Sequence, residues 1–136
     1  MKALLHAVYH RLDGDGIPVA IRGAETEAPV ALIELPSGFG DSTLDQYRRT
    51  EHQLTIRCHT VQTAPLSTEA AIDLSEQVKQ AMTDRITVGG KDWYVSPPTT
   101  SAQQYETSGQ TAVDILHTFT IIIPDAVAQA AANDLL

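Results

Sequence analysis

The chain has 136 residues, 9 of them basic and 17 acidic, for a formal net charge of −8, and it contains one cysteine. A domain of this length buries roughly two-thirds of the surface its unfolded chain would expose, so it can hold a core without disulfide or metal staples. The acidity argues against nucleic-acid binding by phosphate neutralisation, which needs clustered Lys and Arg, and the only adjacent basic pair is Arg48-Arg49.

With 43% apolar and 19% charged residues, the composition is that of an ordinary globular protein. Cys58 is alone, which excludes an intramolecular disulfide and predicts a small apolar residue in a reducing compartment. The start, Met1 to Leu5 followed by His6, His10 and Arg11, lacks the apolar run of a signal peptide. No stretch approaches the ~20 apolar residues of a membrane span. The expectation is a protein made in the cytoplasm, with no membrane partner.

In chain order, Leu4, Leu5, Val8 and Leu12 recur at spacings of three and four, predicting an amphipathic helix over 2–12 that Asp13-Gly14-Asp15-Gly16 stops. A strand over 17–22 follows. A turn over 23–27 leads to a second strand over 29–35, opened by Pro29, with a run Val30-Ala31-Leu32-Ile33 that reads as buried on both faces. Residues 36–50 have no clear period and make a long loop, a feature of functional segments. From 51 to 62 the chain alternates, with Leu54, Ile56 and Cys58 on one face and Gln53, Thr55, Arg57 and His59 on the other.

Ser67 or Thr68 can cap the next helix, and Glu69 lies in its first turn, where the helix dipole favours an anion. Ala71, Leu74, Val78, Ala81 and Met82 form its buried stripe. Ile86 to Val88, Gly89-Gly90 and Trp93 to Val95 predict a hairpin. The polar stretch 96–110 reads as a partly extended excursion. Thr111 to Ile123 is a long strand with Val113, Ile115, Phe119, Ile121 and Ile123 on one face, ended by Pro124. The Ala-rich tail, 125–136, is weakly helical and too short to be stable unless docked on something. The sum is an α+β fold: a mixed, mostly antiparallel β-sheet with two helices packed on one face, plus a β-hairpin and a C-terminal tail.

Motifs for chemistry are sparse. GxGxxG and GxxxxGK[ST] are absent, and Gly38-Phe39-Gly40 has no nearby lysine to make a phosphate loop. His6 and His10 share the i, i+4 spacing of zinc helices, yet neither HExxH nor a third ligand at suitable spacing accompanies them. His52 and His59 fall at opposite parity on one strand, and His117 sits on the apolar face of the last strand as a hydrogen-bonded core histidine. Asp13/Asp15 and Asp41/Asp45 lie in Gly-containing turns, where Asp is favoured for turn geometry. Asp13 to Gly16 lacks the later glutamate of a calcium loop. No serine occurs as GxSxG. The expectation is a protein that is not an enzyme, with no catalytic residue, cofactor or metal.

The helix followed by Ile17-Pro18-Val19, then Ala28-Pro29-Val30 to Leu35, the strand His52 to Thr60, the helix 67–83, the hairpin around Val88 to Trp93 and the closing strand Asp114 to Ile123 together resemble the tail-terminator family of tailed bacteriophages. Members are also described as tail-completion or head–tail joining proteins. The resemblance covers residues 1–124 as one domain and leaves 125–136 as a tail. It implies a homo-oligomeric ring, a hexamer, that caps the tail tube, stops its polymerisation, meets the head–tail connector and leaves a channel for DNA. It also implies a place in the neck of the virion. Six copies at −8 make a ring of about −48, and negative groups on a bore keep DNA moving rather than bound. Ring contacts are heterologous. Phe39, Tyr47, Arg48 and Arg49, in the irregular loop, are the candidate interface residues, since aromatics and Arg are enriched at interface centres. The polar stretch 99–110 and the tail are further segments left for contacts. Alternatives are another head–tail connector or minor tail protein and, in a different class, a small bacterial ligand-binding or regulatory domain.

Overall fold

The structure is a computed structural model and describes residues 2–21, 28–34, 49–62, 69–107 and 109–124. Its elements are α1 (Lys2–Gly14), β1 (Val19–Ile21), β2 (Val30–Glu34), β3 (Arg49–Gln62), α2 (Glu69–Ala81), β4 (Arg85–Val88), β5 (Lys91–Tyr94), β6 (Thr99–Thr107) and β7 (Gln110–Pro124). Five strands form one sheet in the order β1-β2-β3-β7-β6, and β4 and β5 form a separate hairpin. β1 and β2 run parallel and the other neighbours antiparallel. The fold is therefore α+β with a mixed, mostly antiparallel sheet.

The longest ladder joins β3 to β7, from Arg49 opposite Pro124 to Gln62 opposite Thr111. Period-two alternation divides this ribbon into two faces. Leu54, Ile56 and Cys58 of β3 and Phe119, Ile121 and Ile123 of β7 are buried together with Ala31 and Ile33 of β2. α2 covers this face, packing on β3, β7 and β2. Ala71, Leu74, Ser75, Val78 and Ala81 point inward, at the spacing of one helical stripe. α1 packs on β4, β1 and α2, and its Ala3, Leu4, Val8 and Leu12 are fully buried.

The end of α1 shows how local sequence sets the path. The helix runs to Gly14, one half-turn past the expected stop at Leu12. Ile17 N–H donates to the Leu12 carbonyl (3.1 Å) and Gly16 N–H to that of Asp13 (3.0 Å), with Gly16 at φ +77°. That is the Schellman arrangement, in which a residue at positive φ satisfies the last carbonyls and a hydrophobic pair closes the motif. Leu12 and Ile17 are that pair, and both are in the core.

Ile17, expected to open the first strand, is thus spent on the cap, and β1 starts at Val19. Pro29, expected as the first residue of the second strand, precedes it; the Ala28–Pro29 bond is cis and β2 starts at Val30. The hairpin forms as expected, with Gly89 and Gly90 both at positive φ, as a tight turn between twisted strands requires.

One expectation is corrected. Residues 96–110 are not an excursion: Thr99–Thr107 is a full strand, β6, paired with β7 from Thr99 opposite Thr118 to Thr107 opposite Gln110. All side chains from Thr99 to Glu106 are exposed. An edge strand with no buried face carries no apolar alternation, so periodicity had nothing to detect. The signal was in the turn, where Gly109 adopts φ +75° between the two strands. The stretch 99–110, expected to be spare, is the edge of the sheet.

Candidate functional site

The sheet face away from α2 carries a polar constellation drawn from four strands. Odd-numbered residues of β3 point there, which places Thr55, Arg57 and His59 side by side. β7 contributes Asp114, directly opposite His59 in one ladder and Gln103 of β6 in the other. Glu34 at the end of β2 lies diagonally across from Arg57, within reach of a long side chain.

Asp114 is fully buried and accepts three hydrogen bonds or ion-pair contacts: from Arg57 Nη1 (2.9 Å), His59 Nδ1 (2.7 Å) and Tyr105 OH (2.9 Å). Arg57 in turn donates Nε to Glu34 and Nη1 to Gln103 Oε1 (3.1 Å). Burial pushes the Asp114 carboxyl upward. The hydrogen bonds from Arg57, His59 and Tyr105 outweigh it and hold the group below its ordinary value of 3.8. Arg57 is held above its ordinary value, chiefly by Glu34 and against burial. Two carboxylates and one guanidinium leave this patch negative when His59 is neutral. Beside it, Thr55 and Thr118 join their hydroxyls across the β3/β7 ladder (3.0 Å). Gln103 and Tyr105, both exposed, are the members that β6 contributes, and Asp114 fixes the Tyr105 hydroxyl in place.

A second polar group lies under α2. His117 is 1% exposed and bridges Ser75 Oγ (2.7 Å to Nε2) and Thr100 Oγ1 (2.9 Å to Nδ1). Burial, then the charge of Lys79, holds its imidazole below the ordinary value, with Ser75 and Glu76 opposing. Neutral imidazole has one donor and one acceptor nitrogen, and two hydroxyls satisfy both. The Ser–His contact has the length of a nucleophile–base pair. Here, however, the ring's other nitrogen meets a threonine hydroxyl rather than a carboxylate, and both partners are buried. Its evident work is to tie α2, β7 and β6 together. This is the hydrogen-bonded core histidine expected at this position.

His52 is buried on the helix-facing side and His59 lies on the opposite face, as their parity requires. His6 and His10 stack loosely along α1, ring centroids 6.3 Å apart. Cys58 is buried, and burial, with the Asp114 charge, pushes its thiol up to about 12, so it stays protonated at neutral pH. Among the described residues no group of three or more His, Cys, Asp or Glu is placed to hold a metal ion, and no helix is long and apolar enough to cross a membrane.

Of the four candidate interface residues, Phe39, Tyr47 and Arg48 lie outside the described residues, and Arg49 is the first residue of β3, its backbone opposite Pro124. The stretch 125–136 lies outside them too. The residues that sequence reasoning passed over are Glu34, Gln103, Tyr105 and Asp114. The available signal was Asp114 itself, a carboxylate set between Val113 and Ile115 in an otherwise apolar run.

No protein-family model matches the sequence, and no curated protein matches it. Solved structures do share the fold. One belongs to the virion of a native gene transfer agent particle; it is 17% identical, with a TM-score of 0.56, and the match covers 88% of this chain and 95% of that one. Another, a protein known only by a sequence identifier, is 13% identical with a TM-score of 0.56, over 89% of this chain and 95% of that one. At such identities the likeness concerns the fold.

Proposed function

We propose that the chain is a structural protein of a virion, a subunit of a ring that closes the end of a tail tube, stops its growth and joins it to the head connector. The observation that carries this reading is the match of nearly the whole fold, end to end, with a chain of a virion particle. The element order resembles that of tail terminators, which supports a place at the end of the tail. The formal charge of −8 per copy suits a ring that DNA must traverse without adhering, because like charges repel. An exposed edge strand, β6, supplies a surface for heterologous contacts between copies.

The test is tube growth. Added to polymerising tail-tube protein, the chain is expected to shorten the tubes seen by electron microscopy. Arg48→Glu combined with Arg49→Glu is expected to abolish that effect while leaving the melting temperature within a few degrees of the parent. Tubes of the same length with and without the parent protein overturn the reading. Arrest that survives the double charge reversal removes Arg48 and Arg49 from the interface.

A further inference from the structure

Between the end of α2, the segment that follows β5 and Phe119 of β7, the described surface is hollowed by a groove of about 510 Å³. Its apolar walls are Met82, Tyr94, Val95, Pro97, Pro98 and Phe119. The volume is that of sites which hold compact ligands or short segments. Tyr94 is 58% exposed, an aromatic ring left at the rim. Lys79 is the one cation and Asp84 the one carboxylate among the described walls.

We propose that residues 125–136 of the same chain dock in this groove. The first reason is where β7 ends. Phe119 lines the groove, and Ile121 bridges Val95, which is itself held by a hydrogen bond from its N–H to the Asp84 carbonyl (2.8 Å). Pro124 lies three residues beyond Ile121, roughly 10 Å along an extended strand. The chain therefore leaves the sheet roughly 10 Å past the strand position that bridges this wall, a distance a few residues cover on the way back. The second reason is reach: the twelve residues after Pro124 span up to about 40 Å when extended and about 18 Å as a helix.

The third reason is chemistry. Val127, Ala131 and Leu135 recur at intervals of four, flanked by Ala128, Ala132 and Leu136, so a helical turn pattern gathers them into one apolar stripe. A twelve-residue helix is marginal alone and needs such a surface to persist. The segment has Asp125 and Asp134 and no basic residue, so Lys79, rather than Asp84, is its charged complement in the groove. Docking within one subunit needs no loss of translational freedom, so even a modest apolar contact suffices.

Met1 and Met82 are the only methionines, so a spectrum of carbon-13-labelled methionine methyls contains two signals, one of them from the groove. Ending the chain at Pro124 is expected to move the Met82 signal, and Leu135→Asp in the full chain to move it the same way with a cooperative melt retained. A synthetic peptide of residues 125–136 should return the shortened chain's signal towards the full-length position. Tyr94→Ala should weaken that titration about tenfold. In the full chain the signal should not change on hundredfold dilution. A Met82 signal identical in the full, shortened and Leu135→Asp chains overturns the proposal. So does a difference that disappears on dilution, which assigns the groove to the tail of a second copy.

Discussion

Asp114→Ala is expected to lower the free energy of unfolding by about 3 kcal/mol, the low end for breaking a buried ion pair, since Arg57 keeps Glu34 as a partner. For a chain of this length that is a fall of roughly 10 °C in melting temperature. The loss is large because three donors converge on one fully buried carboxylate, and Ala leaves Arg57, His59 and Tyr105 each short of an acceptor. The contribution also has a pH signature. The folded carboxyl is held below its ordinary 3.8, so its stabilisation is complete above that pH and lost as pH falls through the lower folded value. Chemical denaturation of the parent and of Asp114→Asn from pH 7 to pH 3 checks this. The parent should lose its advantage over the variant only at the acid end. Equal stabilities at pH 7 contradict the cluster's structural role.

His117→Ala is the second large effect, about 3 kcal/mol, from a buried void and a Ser75 hydroxyl left without its partner. Its pH dependence differs from that of Asp114. Burial lowers the imidazole from its ordinary 6.5, so below that pH the unfolded chain takes up a proton the folded one resists. Stability is therefore full above about pH 6.5 and falls as pH drops towards the folded value, by at most ~1.4 kcal/mol per pH unit. Melting curves at pH 7.5 and pH 5.5 should show a drop in the parent that His117→Ala reduces. Parallel pH profiles for the two proteins exclude a neutral, buried His117. The groups facing the ring include Ser75, Glu76 and Lys79 on α2 and Thr100 on β6, so the profile belongs to this junction of helix and sheet.

Much of this architecture is readable from the residues. The alternation from Gln53 to His59 placed β3's two faces correctly, and with them the opposite orientation of His52 and His59. The stripe Ala71, Leu74, Val78, Ala81 and Met82 placed α2's inner face, though not Ser75, a polar residue on that same stripe whose hydroxyl pairs with His117. Gly89-Gly90 placed the hairpin. β6 was not legible because each residue from Thr99 to Glu106 is exposed, and its place in the sheet depends on backbone bonds that leave no hydrophobic pattern. The Asp114 cluster was hidden for a related reason. Its members come from residues 34, 57, 59, 103, 105 and 114, and only the β2/β3, β3/β7 and β6/β7 registers bring them together. A strand's parity is local, whereas register is a property of the assembled sheet.

Assembly is the central claim, and solution mass tests it most directly. Light scattering at increasing protein concentration, alone and with tail-tube protein, is predicted to give a mass that rises from one chain of 14.7 kDa to a closed ring of six, near 88 kDa. A mass that stays at one chain under every condition contradicts the account.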